Sequence, residues 1–198
     1  MQNAPAAVGP VSQPNYFEVF GIARRFGVDR LALEKRFYEL SRQNHPDRFT
    51  QADPAAQRQA LEKMSLLNEA YRTLKDPSLL RSYLLQICGV LALGDSDRGL
   101  PQGVPLEITE EWFEIQDELL DGNTSALNRV AQIERKIIEL QEGAEQSIRS
   151  LEVRIDKGAA NSEALLIEIS SEIRSQSYLK SMLRDVGRMK AKFSSAGT

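Results

Sequence analysis

Apolar side chains return every third or fourth residue from Leu127 through Val130, Ile133, Ile137, Leu140, Ala144, Ile148 and Leu151 to Ile155. A second series runs Leu166, Ile169, Ile173, Leu179, Leu183, Val186 and Phe193. Steps of three and four are the period of an α-helix with one buried face. Each series predicts a helix of about 30 residues, roughly 45 Å long at 1.5 Å per residue. Apolar stripes of that length need partners of similar length. Gly158 ends the first and Asn161 stands at the cap position of the second, so the short connection makes them antiparallel neighbours. A third, shorter helix precedes them. Thr109 reads as its N-cap, Glu110 and Glu111 suit the positive end of the helix dipole, Ile108 and Phe113 are spaced as a hydrophobic staple, and Asp121-Gly122 ends it. No strand alternation occurs anywhere, so the fold class is all-α, with a three-helix domain over residues 107–195.

The front of the chain has its own pattern. Asn15, with Glu18 three residues on, caps a short helix that carries Tyr16, Phe17, Val19 and Phe20. Asp29 caps a helix from Arg30 to about Gln43, with Leu33, Phe37 and Leu40 on one face and Lys35, Arg36 and Arg42 on others. Asp53-Pro54 starts a third, with Ala60, Met64, Leu67, Tyr71 and Leu74 inward, and Asp76-Pro77 stops it. This is a helix-loop-helix hairpin with a short first helix across it. Leu79 to Ile87 is apolar and docks on the same core. Residues 15–90 form this domain, and the glycine- and proline-rich stretch 91–106 is a linker.

Charge separates the halves as well. Residues 1–90 hold 12 Lys/Arg against 9 Asp/Glu (+3), and residues 91–198 hold 13 against 19 (-6), which gives the net -3. Neither half is basic enough for a nucleic-acid binder. No apolar run approaches the roughly 18 residues of a membrane span. Residues 1–14 lack the basic and apolar parts of a secretory signal and carry no arginine, so a disordered tail and a cytoplasmic location are expected. Gln2 excludes N-myristoylation. Cys88 is the lone cysteine, read as a small apolar residue of a short helix, and with one histidine it cannot build a zinc or iron–sulfur site. No metal or cofactor is expected.

That single histidine is His45, followed by Pro46 and Asp47 at the end of the second helix. Proline at 46 pushes His45 out of the α region, which places the tripeptide on an exposed loop. It has no serine or cysteine nucleophile nearby in sequence, no glycine-rich phosphate loop exists, and the acidic residues are spaced as solvated faces. A catalytic residue is therefore not expected, and the chain reads as a non-enzyme.

Taken together, Tyr16-Phe17, the basic helix ending in His45-Pro46-Asp47-Arg48, and the run from Asn68 to Pro77 resemble the J-domain of DnaJ-type co-chaperones over residues 15–77. The glycine/phenylalanine-rich and cysteine-rich modules of general DnaJ proteins do not follow. Instead, the run Arg81 to Leu85 and the acidic helical tail, with Glu114 to Leu119, are similar to HscB, the J-protein of iron–sulfur cluster assembly.

The resemblance implies an adaptor between an HscA/DnaK-type ATPase chaperone and the scaffold protein IscU. The chaperone would meet His45, Pro46, Asp47, Lys35, Arg36, Arg42 and Arg48. An exposed aspartate can form a charge-assisted hydrogen bond to an arginine, and the cations would steer an acidic surface. The scaffold would meet Phe113, Glu114, Asp117 and Asp121, with Tyr178 at the family's aromatic position. This chain departs from the family where a Leu-Met pair is expected, because Thr109 and Glu110 stand there. Part of the apolar patch is then missing or supplied by Trp112. For Trp112 and Phe113, burial in the core and presentation to a partner both fit the pattern. Two other readings fit the same architecture: a J-protein with a different client, and a coiled-coil tether whose long helices pair between chains.

Overall fold

The computed structural model describes residues 15–90 and 100–194. The expected tail, and the linker as far as residue 99, lie outside these. Among the described residues every regular element is helical. The chain divides into two compact units between Gly89 and Val90.

The first unit holds α1 (Tyr16–Phe20), α2 (Arg30–Asn44), α3 (Pro54–Lys75) and α4 (Pro77–Ile87). Three aspartates start the last three helices. Asp29 accepts from the amides of Leu31 and Ala32, Asp53 from Ala55 and Ala56, and Asp76 from Ser78 and Leu79. Each satisfies donors that the first helical turn leaves without partners. Phe17, Phe20, Leu33, Leu67, Ala70, Leu74, Leu80 and Leu84 form the core, so α4 docks on the hairpin as the sequence predicts. Phe37 of α2 stacks on Tyr71 of α3 with ring centroids 4.2 Å apart. The Tyr71 hydroxyl donates to Glu34 at 3.2 Å and accepts from Lys75 at 3.1 Å, fastening the two long helices side by side. Cys88 differs from expectation. It is exposed, because it is the residue that closes α4 rather than part of the helix's apolar stripe.

The second unit holds α5 (Leu106–Leu120), α6 (Leu127–Asp156) and α7 (Ser162–Ser194). Gly158, at φ 82°, makes the left-handed step that turns the chain back after α6. α6 and α7 pack along each other, and α5 packs on α6. Trp112, Ile115, Leu119, Val130, Ile133, Ile137, Leu179, Met182 and Val186 fill the core. At 15 residues α5 spans about 22 Å, roughly half the length of the α6–α7 hairpin. Ahead of it, Val104 is buried in that core. A Cβ on Gly103 would stand 2.6 Å from the Ser175 Oγ of α7, so any larger residue here would make that side chain shift.

The start of α5 corrects the sequence reading. The helix begins at Leu106 after an extended Pro105, with no side-chain cap, and Thr109 lies inside it. Thr109 is buried beside the stripe of Ile108, Trp112, Ile115 and Leu119, so it is a core-edge residue and not an N-cap.

Candidate functional site

Two surfaces merit description, one in each unit. In the first, α2 ends at His45, whose φ of -62° and ψ of 129° leave the helix as Pro46 requires. Pro46 to Phe49 then form one 3-10 turn. The Nδ1 of His45 accepts the Asp47 amide at 3.3 Å, so the ring caps its own turn. The same Nδ1 lies 3.5 Å from the Asp47 carboxylate, whose side chain is 85% exposed.

Neighbouring bonds stiffen this turn. Arg48 donates to the Arg42 carbonyl at 3.3 Å, Thr50 Oγ1 donates to the Asp47 carbonyl at 3.2 Å, and Asn44 donates to Leu40 at 2.8 Å. From α3, the Gln57 amide donates to the Thr50 and Ala52 carbonyls. Arg48 thus satisfies a carbonyl in the last turn of α2, where a cation also suits the helix dipole.

The cations expected here divide into groups. Lys35 and Arg42 are seven residues apart and share one exposed stripe of α2 with Tyr38 and Leu31, which are 56% and 79% exposed. Arg36 sits about 100° round the helix from Lys35 and pairs with Glu39 at 3.3 Å. The structure therefore gathers Arg42, His45, Pro46, Asp47 and Arg48 at one end of α2, with Lys35 farther along its stripe and Arg36 off it. Tyr38 and Leu31 were missed, although steps of three and four from the two cations could have found them.

In the second unit, the α5 side opposite its core stripe carries Leu106, Glu110, Phe113, Asp117 and Leu120 at alternating steps of four and three, all exposed. The apolar members are 56%, 58% and 65% exposed. Glu114 and Asp121 flank the stripe on one side. Trp112 is buried at 4%, so it is core and does not supply the missing apolar surface. Leu106 and Leu120 are the exposed apolar residues on that side instead. Glu114 is engaged by Arg129 of α6 at 3.2 Å, and Arg129 also holds Glu118 at 2.5 Å. The bond to Glu114, ahead of the other carboxylate contacts, raises the Arg129 pKa further above its ordinary value. Tyr178 stands on α7, half-buried against the core, and makes no ring contact with Phe113. The expected residues Phe113, Glu114, Asp117 and Asp121 are thus on one side of α5, while Tyr178 packs against the core from α7. Among the described residues no cluster of side chains could hold a metal ion, and no helix is long and apolar enough to cross a membrane.

Comparison with known proteins follows this division. Residues 15–83 match the DnaJ domain family. A co-chaperone protein HscB homolog of Burkholderia vietnamiensis is 30% identical over 174 residues, 87% of this chain and 92% of that protein. One from Bordetella petrii is 36% identical over 107 residues, 54% of this chain and 62% of that protein's length. Among solved structures, chaperone HscB from Vibrio cholerae shares the fold with a TM-score of 0.53 at 22% identity, covering 91% of this chain and 99% of its own. Human co-chaperone protein HscB gives 0.52 at 23% identity, covering 90% and 83%. The all-α architecture of a J-domain followed by a helical domain is common to them.

Proposed function

Because the chain belongs to the HscB co-chaperone family, we propose that it is an adaptor between an Hsp70-type ATPase and an iron–sulfur scaffold protein. Residues 15–90 are the chaperone-facing domain, and the helical unit whose core begins at Val104 is the scaffold-facing domain. The His45-Pro46-Asp47 turn, with Lys35, Arg36, Arg42 and Arg48 around it, engages an HscA/DnaK-type chaperone and stimulates its ATPase. The α5 face of Phe113, Glu114, Asp117 and Asp121, helped by Leu106 and Leu120 and with Tyr178 on α7, receives IscU. The protein performs no chemistry of its own, and it works in the cytoplasm.

One observation carries this reading: a rigid, charged turn and an apolar-acidic helix face are both exposed on one chain. An aspartate 85% exposed is free to meet a cation on another protein, where a charge-assisted bond is stronger than a neutral one. Three exposed large apolar side chains in register on a helix of the second unit offer a partner apolar area to cover.

The decisive experiment measures chaperone ATPase rate and IscU binding on the same variants. His45→Gln abolishes ATPase stimulation and leaves IscU binding intact, whereas Phe113→Ala and Asp117→Lys weaken IscU binding by about tenfold each and leave stimulation intact. Stimulation that survives His45→Gln overturns the chaperone half. A second reading, delivery of a different client, is favoured by Thr109 and Glu110 standing where the family's Leu-Met pair is expected. It wins if stimulation behaves as stated but IscU does not bind.

A further inference from the structure

Arg129 occupies an electrostatically awkward position. It is the third residue of α6, whose first turn holds no acidic side chain and whose N-cap, Ala126, offers no capping oxygen. A cation there faces the positive end of the helix dipole. Carboxylates of α5 offset this: Glu118 Oε1 lies 2.5 Å from Nη1 and Glu114 Oε2 lies 3.2 Å from Nη2. The two partners are not equivalent. The Glu114 side chain is 68% exposed and borders the stripe of Leu106, Phe113 and Leu120, whereas Glu118 is 38% exposed and turned toward α6. Among the described residues Glu110, Asp117 and Asp121 have no ion-pair partner.

From this geometry we infer that Arg129 is an internal competitor for the partner-facing carboxylates, holding Glu114 until a basic side chain of the incoming protein displaces it. The inference rests on the reading of α5 as the partner face and sets a specificity rule for it. Glu110, Asp117 and Asp121 meet the partner's cations at once. Glu114 changes hands, from Arg129 to a partner residue, and Glu118 keeps the α5–α6 corner closed meanwhile. A partner without a cation opposite Glu114 leaves the bridge intact and gains nothing from that carboxylate.

A double-mutant cycle on purified IscU binding to the full chain tests this. Glu114→Gln costs less than about twofold in affinity in the wild type, because a bond to Arg129 is lost as well as one to the partner. In the Arg129→Gln background the same change costs about fivefold, because Glu114 is then committed to the partner alone. The long-range loss of one positive charge in Arg129→Gln strengthens binding equally whether residue 114 is Glu or Gln, and cancels in the cycle. Glu118→Gln is the control for a loosened corner, and it leaves the cost of Glu114→Gln at its wild-type value. Arg129→Lys, which keeps the charge but not the two-pronged reach, gives an intermediate cost and guards against a fold defect in Arg129→Gln. Equal costs of Glu114→Gln in both backgrounds, with Phe113→Ala and Asp117→Lys still weakening binding, overturn the inference alone. If Phe113→Ala and Asp117→Lys leave binding unchanged, the partner-face reading falls and takes the inference with it.

Discussion

Thr109 and His45 show two different uses of a polar side chain. The Thr109 hydroxyl is buried without a hydrogen-bond partner, and a group left in that state costs about 1–3 kcal/mol. Valine has nearly the same shape and no such debt. Thr109→Val is therefore expected to stabilise the protein by about 1 kcal/mol, read as a higher urea midpoint with an unchanged slope. His45 is the opposite case, an exposed ring whose Nδ1 secures the Asp47 amide. Asparagine can place its oxygen as a cap and alanine cannot, a difference of about 0.5–2 kcal/mol. The Asp47 amide should exchange with solvent at a near-native rate in His45→Asn and several-fold faster in His45→Ala, measured by NMR. Neither role was visible from sequence. Ser, Thr, Asp and Asn before an apolar run all read as caps, and Thr109 carries that signature three residues into a helix. The Trp112–Phe113 ambiguity has the same root, because adjacent residues lie about 100° apart and an unknown helix start leaves either one free to face the core.

Helix boundaries marked by aspartate and proline were legible, since Asp53-Pro54 and Asp76-Pro77 combine an acceptor for free amides with a residue suited only to the first turn. What the sequence could not convey is how α4 reaches α1. Tyr83 of α4 stacks on Tyr16 with centroids 4.4 Å apart, accepts the Tyr16 amide at 2.9 Å and donates to Asn15 at 3.3 Å. The contact joins residues 67 apart in sequence, beyond any local pattern. It completes the cap of a five-residue helix that would not hold alone. Burial raises the pKa of both phenols, helped at Tyr16 by Glu69, while the bond from the Tyr16 amide works the other way at Tyr83. A raised folded pKa means stability that is complete below the unfolded value of 10.0 and lost as pH climbs through the folded value. Unfolding by urea should therefore become easier above about pH 10. Tyr83→Phe should cost about 1 kcal/mol at pH 8 and show a smaller further loss between pH 8 and pH 11. An equal alkaline loss in both proteins would remove the Tyr83 phenol as a cause.

At the scale of the whole chain, the two long apolar series could have been satisfied in two ways: against each other, or against copies from a second chain. The structure takes the first course. α6 and α7 pack along each other, and Ile133, Ile137, Leu179, Met182 and Val186 are buried within one chain, with α5 closing half of the hairpin. A seam already filled from within offers nothing to a coiled-coil partner, so the tether reading loses its driving force. Charge leaves one remaining route to association. The front half carries +3 and the back half -6, which would draw copies together head to tail. Such attraction acts between solvent-exposed groups and is screened beyond about 8 Å at physiological ionic strength. The protein should accordingly sediment as a monomer in 0.15 M salt, with a melting temperature that does not move over a hundredfold range of concentration. Any self-association at low salt should vanish as salt is added. A melting temperature that rises with concentration in 0.15 M salt would mean that folding is coupled to assembly, and it would return the long helices to an intermolecular role.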